Sequence, residues 1–125
     1  MQDFSLTTTQ ALAYLGDSVL ESIIRERLIL KGIEKSGKLN AEALKYVTAV
    51  NQAKAYEKIE ALLTEKEAEI FRRGRNSCHI NVPKSASIKE YKIATGFEAI
   101  FGYLRLCKDE DRILFLFNSA YDDLN

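Results

Sequence analysis

The sequence predicts an all-α fold of about six helices, and three observations carry that expectation. Apolar residues recur at helical spacing along most of the chain, alternating apolar–polar stretches are scarce, and proline occurs once in 125 residues. That length suits one domain, residues 1–125, with enough chain to bury a real core. A hydrophobic content of 46% excludes a disordered segment as the general description.

The elements follow in order. Thr7–Thr9 offer N-cap hydroxyls to a first helix in which Leu12, Leu15, Val19, Ile23 and Leu30 share a face, closed by Lys31-Gly32. Ser36-Gly37 reads as a turn, and Asn40 is placed to cap a second helix through AEALKYVTAV. NQAKAYEKIEALL continues the pattern with Ala53, Tyr56, Ile59 and Leu63 on one side. Thr64 followed by Glu67 has capping-box spacing and opens a short helix ending near Arg73-Gly74. Residues 75–87, RNSCHINVPKSAS, lack a period and hold the proline, so they read as a loop, long for a helical domain. Ser87 caps the next helix, with Ile93, Phe97, Ile100, Phe101 and Leu104 apolar, until Lys108-Asp109 breaks it before a last helix, EDRILFLFNSAYDDL.

Formal charge is zero, so no global field advertises nucleic acid or membrane, but the charge is distributed unevenly. Residues 72–92 carry Arg72, Arg73, Arg75, Lys84, Lys89 and Lys92 against Glu90. Residues 108–125 tip the other way through Asp109, Glu110, Asp111, Asp122 and Asp123. Helix-end electrostatics account for one or two of the arginines. The rest fits either a solvated run or a phosphate-contacting surface. Cys78, His79 and Cys107 have no metal-ligand spacing and read as reduced thiols and a lone imidazole of a cytoplasmic protein. No signal peptide and no apolar stretch of membrane-spanning length is expected.

One stretch of the first helix, LAYLGDSVLE, spends Gly16 and Asp17 mid-helix, where glycine costs about 1 kcal/mol relative to alanine. Either a neighbour approaches too closely for a side chain, or Asp17 has a task that overrides propensity. Glu98 is similar, set among Gly96 and Ala99. Two carboxylates on packed helices suit a hard divalent cation, yet two isolated surface acids would look the same. Glycines at 16 and 96 would let the two helices meet. Glu21 projects from the Asp17 face, but Arg25, four residues on, is its expected partner.

Taken together, ALAYLGDSVLE, VNQAKA, RRGRN and YKIATGFEAIFGYL occur in an order that resembles the ribonuclease III endonuclease domain. The match is closer to its short bacterial branch, Mini-ribonuclease III, which lacks a double-stranded-RNA-binding domain. The resemblance implies that Asp17 and Glu98 bind metal and carry catalysis, with Mg²⁺ as cofactor and Mn²⁺ as a possible substitute. It implies a homodimer whose signature helices pack across a two-fold axis, with Gly16 easing that approach. Its substrate would be double-stranded RNA, namely the precursor of 23S ribosomal RNA. Two positions depart from full-length ribonuclease III: Ala13 and Thr95 stand where acids are expected, as in the short branch.

On that basis Arg72, Arg73, Arg75, Asn76 and Lys84 are candidate phosphate contacts, and Asn51 and Gln52 candidate contacts to 2′-hydroxyls. Helix capping or simple exposure explains the last two equally well. A non-catalytic RNA-binding module, favoured by Ala13 and Thr95, and a helical protein-interaction domain are the competing functional classes.

Overall fold

The computed structural model describes residues 3, 4, 6–77 and 87–125. Lys84, Cys78 and His79, and with them most of the expected loop, lie outside the described residues. Among those described there are six α-helices and two short 3₁₀ turns: α1 Thr9–Leu30, α2 Ser36–Val47, α3 Ala49–Ile59, α4 Glu65–Asn76, α5 Ile88–Leu106 and α6 Glu110–Ala120. The turns are Glu60–Leu62 and Asp122–Leu124. The all-α expectation holds.

Local chemistry sets most boundaries. Thr8 caps α1 by accepting from the Ala11 N–H, and a Schellman closure ends it, with Gly32 at φ 95° and the Ile33 N–H bonded to the Leu28 carbonyl. Thr64–Glu67 and Ser87–Glu90 each form a complete capping box, opening α4 and α5. Asp109 caps α6 by accepting from the Arg112 N–H.

Several expectations are corrected. Ser36-Gly37 is not a turn but the first residues of α2, and Asn40 lies inside that helix. No side chain caps α2, so tertiary packing of Leu39, Ala43, Tyr46 and Val47 against the core defines it in place of a local signal. The break before α3 falls at Thr48, whose hydroxyl accepts from the Asn51 N–H. Helix α4 runs on to Asn76, so Arg75 and Asn76 are helical. Leu30, expected on the apolar face, is exposed at the last position of α1, two residues beyond buried Leu28.

Helix α5 is the axis of the molecule. It carries buried residues on all sides, including Ala94, Phe97, Ala99, Phe101 and Leu104, as a core helix must. α1, α3 and α4 pack around it. Glycines allow close crossings of α5 with α1 and with α4. A β-carbon on Gly16 would overlap the Glu98 carbonyl oxygen and come within 3.0 Å of the Gly102 nitrogen, and one on Gly102 would overlap the Leu12 carbonyl. Gly96 serves the other crossing: its β-carbon would lie 2.6 Å from the Phe71 carbonyl oxygen of α4. The α1–α5 contact expected from positions 16 and 96 is therefore made by 16 and 102.

The acidic C-terminal stretch is tied to basic residues of α1, of α3 and of the turn after α1. Lys58 pairs with Asp122 at 3.1 Å, Lys31 donates to the Asp123 carbonyl at 2.6 Å, and Arg27 donates to the Leu124 carbonyl at 3.2 Å. α6 is locked to α4 by Arg112, whose guanidinium donates to both oxygens of buried Glu67 at 2.9 and 2.8 Å. Cys107 is a free, exposed thiol. Among the described residues no helix is long and apolar enough to cross a membrane.

Candidate active site

The glycine crossing of α1 and α5 brings their backbones together one residue before Asp17 and at Glu98 itself. Both acids line one cavity of about 230 Å³ with Ala13, Tyr14, Tyr91 and Thr95. Ala13 and Thr95 thus sit beside the two carboxylates, where acids would otherwise have enlarged the ligand set. Thr95 turns its hydroxyl to the Tyr91 carbonyl at 3.0 Å.

The electrostatics couple the two acids. Burial pushes the Glu98 carboxyl up to about 8, and the charge of Asp17 and a side-chain hydrogen bond with Asp17 push in the same direction. Two carboxylates within hydrogen-bonding reach share a proton more readily than they carry two charges. Gln52, from α3, opposes the shift by donating to Glu98 Oε2 at 3.5 Å. Glu21 adds a weaker repulsion, and it makes the ion pair expected of it, 3.6 Å from Arg25.

This donor set suits a hard divalent cation, whose charge would offset the burial and the Asp17 repulsion that together raise the Glu98 carboxyl. Among the described residues no group of three or more histidine, cysteine or acidic side chains forms a metal cluster. Two carboxylates, with water and phosphate oxygens completing the shell, match the way Mg²⁺ is held at phosphoryl sites.

The helical arrangement has counterparts. The ribonuclease III domain model matches residues 10–109. The chain belongs to the ribonuclease III family. Within it the similarity runs to proteins named Mini-ribonuclease 3: that of Streptococcus pneumoniae is 44% identical over 115 residues, spanning 90% of each chain. That of Symbiobacterium thermophilum is 42% identical over 111 residues, or 89% of this chain and 85% of that one. A crystal structure of a Fusobacterium nucleatum protein superimposes with a TM-score of 0.84 at 33% identity, covering 94% of both chains. Membership makes this ribonuclease III domain an endoribonuclease, with RNA as its substrate.

The remaining candidates for RNA contact are dispersed. Arg72, Arg73 and Asn76 line an open depression with Thr8 and Ser77, and Ser77 also lines the acid cavity, so the two recesses adjoin. Arg73 donates to the Thr7 carbonyl at 3.1 Å, which turns its guanidinium toward the start of α1. Arg75 lies over the Phe71 ring and, with Lys89 and Lys92, lines a different depression. Asn51 is half-buried, its N–H spent on the Thr48 cap.

Gln52 is the misplaced candidate. It is 3% exposed and faces Glu98, not a surface where 2′-hydroxyls could reach it. A signal existed: position 52 shares a helical face with Tyr56 and Ile59, both buried. Tyr14 and Tyr91, lining the cavity, were not marked by any motif spacing.

Proposed function

We propose that this ribonuclease III domain is a Mg²⁺-dependent endoribonuclease that cuts double-stranded RNA, acting in the cytoplasm on the precursor of 23S ribosomal RNA. The observation that carries the proposal is the convergence of Asp17 and Glu98 in one cavity at the α1–α5 crossing. Both carboxylates hold the cation, and rigid helices fix their spacing. When bound, Mg²⁺ or Mn²⁺ supplies positive charge against the phosphate and activates water for in-line attack. Cleavage of the P–O3′ bond leaves 5′-phosphate and 3′-hydroxyl ends. Arg72, Arg73 and Asn76, in the adjoining depression, draw the phosphate backbone toward the acids, with Arg75 and Lys84 extending the basic surface. A-form RNA offers little sequence to side chains, so shape and backbone contacts govern the fit.

A duplex has two strands, and one cavity cuts one of them. A homodimer with two-fold symmetry presents two sites and resolves the mismatch. Tyr14, 85% exposed on α1 one turn from Asp17, supports placing that interface along the first helix.

Incubating a duplex RNA drawn from a ribosomal precursor stem with protein and Mg²⁺ tests the proposal. The expected outcome is cleavage in the wild type, reduced by more than about 100-fold in Asp17→Asn and in Glu98→Gln. Tight binding without products in the wild type would reassign the chain as an RNA-binding module.

A further inference from the structure

Among the described residues three polar side chains are buried: Thr9, Gln52 and Glu67. Two have structural partners that explain them, since Thr9 shares a hydrogen bond with the Ser77 hydroxyl and Glu67 pairs with Arg112. Gln52 differs. It lies among Ala53, Ala55, Tyr56 and Ile59 on the α3 face that packs against α5, where an apolar side chain of similar size would fill the space without the cost of dehydrating an amide. Among the described residues its side-chain amide donates to Glu98 Oε2, 3.5 Å away.

The chemistry of that pairing is informative. A glutamate's terminal torsion has a broad energy profile, so packing alone leaves the plane of the carboxylate loosely set. A lysine or arginine at position 52 would orient Glu98 but also cancel the charge a cation needs. An amide donates without carrying charge, and it neither gains nor loses a proton. The backbone holds Gln52 firmly: it is in the first turn of α3, its own N–H bonded to the Thr48 carbonyl at 2.8 Å.

Resting on the assignment of Asp17 and Glu98 as the cation-holding pair, we propose that Gln52 is a positioning residue, which fixes the Glu98 carboxylate from α3 in the orientation that binds the divalent cation. Outer partners of this kind raise affinity by removing the freedom that a ligand otherwise loses on binding. α3 thereby enters the function of a site whose ligands sit on α1 and α5.

The test uses the full chain and Mn²⁺ alone, followed by calorimetry. The wild type and Glu98→Gln decide the underlying assignment: binding that does not depend on Glu98 overturns both that assignment and the role of Gln52. Once Glu98-dependent binding is seen, Gln52→Met isolates the present proposal. Its expected behaviour is an unfolding temperature at or above that of the wild type, with Mn²⁺ bound about 10- to 100-fold more weakly and the metal midpoint for duplex cleavage moved by the same factor. A folded Gln52→Met protein that binds Mn²⁺ as the wild type does overturns the positioning role and leaves the assignment of the acids standing. If Gln52→Met does not fold, the side-chain amide resonance of Gln52 in the wild type decides. A shift that saturates with the Mg²⁺ binding curve supports the proposal, and an amide that Mg²⁺ leaves unmoved overturns it.

Discussion

Glu98 holds its proton well after an unfolded chain would have released it. Its carboxyl sits at about 8 in the fold against an ordinary 4.5, so across that window the folded state binds more protons and stability falls as pH rises. Glu98→Gln should remove this slope and Asp17→Asn should flatten it, read as unfolding temperature against pH. Cation binding needs the ionised form, so affinity for Mg²⁺ should climb through the same window and level off above it. Gly16 poses a steric question at the same scale. Gly16→Ala drives a methyl group into the backbone of α5, and the expected loss is on the order of 3 kcal/mol or more. Gly37→Ala, with nothing within 4 Å, is the control and should stabilise by up to about 1 kcal/mol. Denaturant titration of the two variants distinguishes close approach from mere helix propensity. Equal effects would refute it.

At the scale of elements, the lock between α4 and α6 is the most consequential ion pair. Burial alone would raise the Glu67 carboxyl, but the hydrogen bonds from Arg112 and Thr64 outweigh it and hold the group below its ordinary range. The stability it contributes is present above the ordinary carboxylate range and is lost as the solution is acidified through and below it. Arg112→Met strands a carboxylate whose side chain is 4% exposed, and should cost about 3 kcal/mol in urea unfolding. Adding Glu67→Gln removes the stranded charge and should return part of the loss, which a simple packing defect would not do. The capping box of α4 was legible from spacing alone because it joins residues three apart, and Ser87 was legible as the cap of α5, whose box with Glu90 the structure adds. The start of α2 was not, since no side chain marks it and only contact with the core selects Ser36 over Asn40.

For the whole molecule, zero net charge conceals a division of labour. At the acidic C-terminal end Lys58 pairs with Asp122 while Arg27 and Lys31 donate to backbone carbonyls, and the basic end of α4 is the surface proposed for a polyanion. Binding of duplex RNA should therefore weaken with salt along a shallow slope. Arg72→Ala and Arg75→Ala should each lower that slope by roughly one phosphate contact, measured by fluorescence anisotropy at several salt concentrations. An unchanged slope in both would favour a protein-interaction role for this face.

Helix identity, the caps of α1, α4 and α5, the apolar residues of α5 and the candidacy of Asp17 and Glu98 were readable in advance, because each depends on residues a few positions apart or on a family pattern carried by short motifs. Packing alone chose Gly102 over Gly96 as the counterpart of Gly16, buried Gln52 beside Glu98, and turned Arg73 and Arg75 toward different recesses. Those outcomes depend on which faces of α1, α3 and α4 meet α5. Such meetings couple positions dozens of residues apart, whose shared geometry leaves no imprint on local spacing.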